Sequence, residues 1–170
     1  MLKKLDNKLF FFIIPLSLGV ISSFSLPPYN IFVLNFFTFS FLLIFFISNS
    51  YQSKWRLFLI GWLFGFGYFV SNIYWITNAL TFEEIFLSLI PIAIFLIPSF
   101  LALFYGLVTF ICSFLNLEKK YSSILIFAVI FSFVEFVRGN ILGGFPWNLI
   151  AYSWSEYTSF IQILSIIGTY

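Results

Sequence analysis

The chain has no histidine, one cysteine and one methionine, and only 8% of its 170 residues are charged. Each shortage closes a door. Without histidine there is no imidazole base and no imidazole metal ligand. A single cysteine leaves no Cys-Cys disulfide and no cysteine-rich zinc site within the chain. No metal and no cofactor is therefore expected. Eight basic and six acidic residues leave a net charge of +2. The basic ones do not gather into one patch, so a nucleic-acid surface is not expected either. Soluble domains carry about 25% charged and about 45–50% apolar residues, whereas 62% of this chain is hydrophobic. A fold of this size cannot hide so much apolar surface from water. Disorder, which needs low hydrophobicity and high charge, is excluded as well.

What is abundant is phenylalanine, at 28 residues, and the mean hydropathy is +1.08. The natural solvent of such a chain is lipid. The apolar runs predict an all-α fold, a polytopic transmembrane helical bundle with five full spans and a truncated sixth. Residues 9–26 follow a basic head, residues 1–8, and end at Pro27-Pro28. A signal peptide has that order of features, but its core is roughly 7–15 residues and it is not followed at once by another apolar run. Residues 9–26 read as an uncleaved first helix. Residues 31–48 form the second span, 56–78 hold the third and 121–137 form the fifth. Residues 85–115 are a 31-residue apolar stretch, roughly 46 Å as helix against about 30 Å of hydrocarbon. That stretch must tilt, bend or lie partly along the interface, with Pro91 and Pro98 offering bends near its start. Residues 157–170 begin a sixth span that reaches only roughly 21 Å, so the sequence is expected to be the first part of a longer protein.

The few cations sort by side. Lys3, Lys4 and Lys8 precede the first span, Lys54 and Arg56 separate the second from the third, and Lys119 and Lys120 separate the fourth from the fifth. The alternate loops around residues 27–30 and 79–84 carry neither Lys nor Arg. The positive-inside rule then puts the N-terminus in the cytoplasm, and Glu83, Glu84 and residues 139–156 outside.

Ionisable groups within a membrane are rare and functional by default. Glu135 and Arg138 end the fifth span at i, i+3 spacing and share a face. Two readings stand: a structural ion pair that seats the helix end, with Arg138 reaching the headgroups, or a direct role in binding substrate. Next come Gly139, the Gly143-Gly144 pair, Phe145, Pro146 and Trp147, then Tyr152 and Trp154. Glycines allow backbone geometries closed to other residues, proline restricts itself and its predecessor, and aromatic rings suit the headgroup level. This is either an aromatic-belt turn or part of a site. In the third span, Gly61 and Gly65 form a small-xxx-small pair suited to close helix packing, and Tyr74 and Trp75 are placed as outer interface anchors. Cys112 has no base to activate it, and its nearest cations in sequence are about two turns away; it reads as a packing residue.

On these residues the sequence resembles the bacterial apolipoprotein N-acyltransferases. Residues 61–76 resemble that family's G-x-x-x-G…G-x-x-Y-W region. Glu135-Phe-Val-Arg138-Gly139, then Gly144-Phe145-Pro146-Trp147 and Ala151-Tyr152-Ser153, look like its E-x-x-R-G…G-F-P-W…G-Y-S block, with Ala151 in place of the glycine. Pro27-Pro28-Tyr29 and Gln162…Gly168-Thr169-Tyr170 fit as well. The resemblance implies transfer of a fatty acyl chain from a membrane phospholipid to the α-amino group of the diacylglyceryl-cysteine of an apolipoprotein. The reaction takes place at the outer face of the bacterial inner membrane. It implies an acyl thioester formed on the cysteine of a Glu-Lys-Cys triad in a nitrilase-like domain. No residue here matches that triad, so residues 1–170 are expected to be the transmembrane domain alone and catalytically inactive alone. Glu135, Arg138, Gly139, Gly144, Phe145, Pro146, Trp147 and Tyr152 would then bind lipid or support the site. A non-catalytic membrane subunit of a transporter is the competing class, marked by broken helices and polar sites at the midplane.

Overall fold

The computed structural model describes residues 2–117, 120–141, 144 and 146–169, with side chains placed from Lys8 onward except at positions 160 and 167. Among them there are helices and no strand. The α-helices are α1 (Leu2–Ser23), α2 (Val33–Ser48), α3 (Lys54–Asn72), α4 (Ile90–Cys112), α5 (Tyr121–Asn140) and α6 (Thr158–Ile167). Short 3₁₀ helices cover Tyr74–Thr81, Glu84–Leu89 and Ile150–Trp154.

The centre of the bundle is α3. Leu57, Ile60, Phe64, Tyr68 and Phe69 are all buried, as a helix that is apolar all round must be. Glycines let its neighbours come close. On one side, a Cβ at Gly61 would strike the Tyr105 carbonyl oxygen of α4, and one at Gly65 would lie 3.1 Å from the Ala102 Cα. On the other side, a Cβ at Gly67 would strike the Leu16 carbonyl of α1, and one at Gly19 the Phe64 carbonyl. Lipid tails are as apolar as leucine, so helices in lipid associate through this kind of close packing. The spatial order is α2, α1, α3, α4, α5. Phe39 of α2 also reaches across to Phe64 of α3 at 5.2 Å and to Phe131 of α5 at 5.0 Å, both edge-on.

Among the described residues two elements are long and apolar enough to cross a membrane, Glu84–Cys112 and Tyr121–Asn140. A third is added if Lys54–Asn72 and Tyr74–Thr81, bent by 48°, form one span. The apolar helices Lys8–Ser23 and Val33–Ser48 are shorter, each about 24 Å long. The 31-residue apolar stretch divides as chain mechanics suggest: a 3₁₀ segment, then α4 with Pro91 in its first turn and Pro98 inside it. Residues 56–78 do not run as one straight helix. Asn72 Nδ2 donates to the Tyr68 carbonyl at 3.0 Å, a local bond that competes with the helical ladder. Ile73 then sits at φ −109°, ψ 9°, and the chain turns into the 3₁₀ helix.

Candidate functional site

The C-terminal ends of α1, α3 and α5 lie at one end of the bundle, and the segments that follow them surround an open groove of about 660 Å³. Pro28 and Tyr29 come from the α1–α2 turn, Tyr74 and Trp75 from the 3₁₀ helix after α3, and Trp147 and Tyr152 from the segment after α5. Motifs far apart in sequence thus share one cavity. The indole rings of Trp75 and Trp147 lie 5.6 Å apart, tilted by 57°. Both are partly exposed, as rings at an interface between apolar and hydrated surroundings are.

Behind the groove, the Glu135–Arg138 pair is sealed into protein, with Arg138 only 1% exposed and Glu135 4%. Arg138 Nη2 lies 3.3 Å from Glu135 Oε1. The same oxygen accepts from the Tyr105 hydroxyl of α4 at 3.1 Å. Arg138 Nη1 donates to the Trp147 carbonyl at 3.1 Å. Its guanidinium carbon stands 5.3 Å from the centre of the Phe69 ring, within the range of a cation–π contact. From α3, the Tyr68 hydroxyl donates to the next carbonyl, that of Asn148, at 3.0 Å. A buried charge is tolerated only when paired and hydrogen-bonded, and here the partners come from three helices and the segment after α5.

That segment is shaped for its attachment. Gly144 has φ 74°, a left-handed conformation that glycine adopts without strain, and a Cβ there would press on the Gly139 carbonyl at the end of α5. Asn148 has φ 56°, which asparagine tolerates better than most residues. Leu149 is fully buried beside it. Further on, Trp154 packs on Phe32 at 4.4 Å, Tyr157 on the same ring at 5.0 Å, and Asn30 Nδ2 donates to Glu156 at 2.9 Å. The segment is therefore tied to the bundle core at 147–150 and to the start of α2 at 154–157.

Of the residues singled out from sequence, Trp147 and Tyr152 line the groove. Glu135 and Arg138 lie beneath it, Pro146 is exposed beside Trp147, and Gly139 and Gly144 form the turn that leaves α5. Phe145 lies outside the described residues. Gly61 and Gly65 are not near the groove but against α4. Cys112 is fully buried at the opposite end of α4. Among the described residues no three Cys, Asp or Glu side chains cluster. Tyr68 and Tyr105 were not singled out in sequence. Each sits beside a glycine in an apolar run, and the usable signal was that a phenolic hydroxyl in such a run needs a partner.

Fold and site together define a helical membrane protein with an aromatic groove at one end. Residues 18–170 match the apolipoprotein N-acyltransferase N-terminal domain. The chain is 36% identical over 160 residues to the apolipoprotein N-acyltransferase of Allorhizobium ampelinum, which covers 89% of this chain and 30% of that protein. It is 37% identical over 161 residues to that of Rhodopseudomonas palustris, covering 92% and 30%. To that of Brucella melitensis it is 36% identical over 159 residues, covering 88% and 30%. The chain belongs to the apolipoprotein N-acyltransferase family. It spans about 30% of the length of the curated relatives it matches.

Proposed function

We propose that this chain forms the membrane portion of an apolipoprotein N-acyltransferase. Such an enzyme takes an acyl chain from a membrane phospholipid and joins it to the α-amino group of an apolipoprotein's diacylglyceryl-cysteine. In this reading the chain is a multi-pass protein of the bacterial inner membrane with a cytoplasmic N-terminus. The helices α1 to α5 are its five spans, the shorter ones completed by their flanking turns. The observation that carries the reading is the convergence of Pro28-Tyr29, Tyr74-Trp75 and Trp147…Tyr152 on one groove, at the end that the charge asymmetry assigns to the outside. There the rings shape an apolar entry at headgroup level, and Glu135, Arg138, Gly139, Gly144 and Pro146 support the turn that carries Trp147. The 170 residues alone transfer no acyl group, because Cys112 is sealed at the far end from the groove and has no activating base.

The test is a chimera. Residues 18–170 replace the matching segment of the Rhodopseudomonas palustris relative, and the product is expressed in a strain depleted of its own N-acyltransferase. Lipoprotein N-acylation is expected to return. Arg138→Lys, which keeps charge but loses the planar fork, and Trp147→Ala are each expected to lose most of that activity with membrane expression near that of the parent chimera. Near-normal acylation by both variants would reduce the segment to an interfacial anchor.

A further inference from the structure

From the geometry at the rim of the groove we infer that Tyr68 and Tyr105 are positioning residues that set the Trp147 ring against Trp75. The inference rests on the reading of the groove as the membrane face of the acyl-transfer site. Tyr68 acts directly, because its hydroxyl donates to the Asn148 carbonyl at 3.0 Å. Tyr105 acts at one remove: it donates to Glu135 Oε1, Glu135 pairs with Arg138, and Arg138 donates to the Trp147 carbonyl. Two consecutive carbonyls of the groove segment are thus drawn into the bundle. In extended chain, successive carbonyls point to opposite sides. The left-handed φ of Asn148 breaks that alternation, so both can be held from below. With its backbone pinned on this side, the indole of Trp147 projects into the groove, 5.6 Å from Trp75.

The two phenols form one unit. Their rings stack at 5.9 Å and 27°, and both are essentially buried. Phe69 packs on Tyr68 at 5.2 Å and on Tyr105 at 5.1 Å, and it also faces the Arg138 guanidinium. The hydroxyls are therefore aimed by packing before they bond, so little side-chain freedom is lost in making the two tethers. Neither tyrosine lines the groove. Each reaches it only through the backbone of the 147–148 turn, which makes these residues positioning groups and not substrate contacts.

A tilted tryptophan pair at this distance gives an exciton couplet in far-ultraviolet circular dichroism, and that couplet reports the placement of Trp147. The full 170-residue chain is measured in phospholipid nanodiscs, with Trp147→Phe identifying the signal by abolishing it. Tyr68→Phe and Tyr105→Phe are each expected to lose most of the couplet while keeping the helical signal. Amide exchange at residues 149–153 is expected to quicken about fivefold, as loss of one hydrogen bond allows. Tyr121→Phe, an exposed tyrosine at the other end of the bundle, is expected to change neither. A folded Tyr68→Phe or Tyr105→Phe chain with the full couplet and parental exchange overturns the inference, so one folded variant suffices to decide it. Acyl transfer by the chimera tests the underlying reading separately. An inactive chimera with a tyrosine-dependent couplet would fell the reading and leave the positioning role standing.

Discussion

The two ends of the bundle treat positive charge in opposite ways. At the end where α3 begins, Lys54 and Arg56 are exposed. Lys54 Nζ lies 3.4 Å over the Phe114 ring, and Arg56 donates to Gln52 at 2.8 Å, contacts that water can replace. At the groove end the one cation among the described residues, Arg138, is shut away and bonded to a carboxylate and a backbone carbonyl. The lesson is that the same charge serves two physical ends. Exposed cations set which way the chain lies in the bilayer through their preference for one side. A buried one fixes local backbone geometry, because losing a partner there leaves an uncompensated charge.

The comparison can be broken most sharply at Arg138. Arg138→Met alone strands Glu135 and is expected to cost about 3–5 kcal/mol of stability. Adding Glu135→Leu should recover most of that loss, since a well-packed apolar pair often replaces a buried ion pair. Thermal unfolding of the chain in nanodiscs measures both. A single variant no less stable than the double would show that the pair is not sealed into the bundle as it is here.

A smaller effect separates packing from polar tethering. Gly61→Leu must push backbone away from backbone at Tyr105, and overpacking of this kind is expected to cost about 1–3 kcal/mol. The α3–α4 contact would loosen while the Trp75–Trp147 couplet is largely retained. Unfolding and circular dichroism on one sample check the two halves of that statement.

At the exposed end the effect is smallest. Lys54→Ala should change stability by about 0.5–1 kcal/mol at most, the worth of an exposed cation–π contact, and Arg56→Ala by less. Their joint removal should instead weaken the topological bias. In spheroplasts, an impermeant thiol reagent should modify Asn140→Cys and leave Ser53→Cys untouched in the parent chain. In the Lys54→Ala, Arg56→Ala background, part of the Ser53→Cys population should become reactive.

How far the site was legible follows the same division. Glu135 and Arg138 stood out because charge in an apolar run is costly and their spacing puts them on one helix face. Their burial was not legible. Their place at the end of the fifth span leaves Arg138 with both headgroups and protein within reach, and only the packing of α3, α4 and the 147–150 turn decides between them. Tyr68 and Tyr105 were invisible for a related reason. A tyrosine in an apolar run looks the same whether its hydroxyl meets a neighbouring helix or the interface.

What the sequence determined by itself is what depends on composition and period. Sixty-two per cent hydrophobic residues with so few charges, gathered in long apolar runs, point to helices in lipid, where a helix satisfies every backbone polar group within its own segment. The motifs around Trp75 and Trp147 were enough to place the chain in its family. Tertiary structure alone decided where α3 bends, which glycines meet which helix, and that three turns far apart in sequence enclose one groove. The last two of those outcomes depend on contacts across tens of residues, and the first on side-chain bonding that hydropathy does not register. A local bond such as Asn72 to the Tyr68 carbonyl bends α3 where hydropathy reads straight on, and a tether such as Tyr68 to Asn148 joins positions that no sequence period connects.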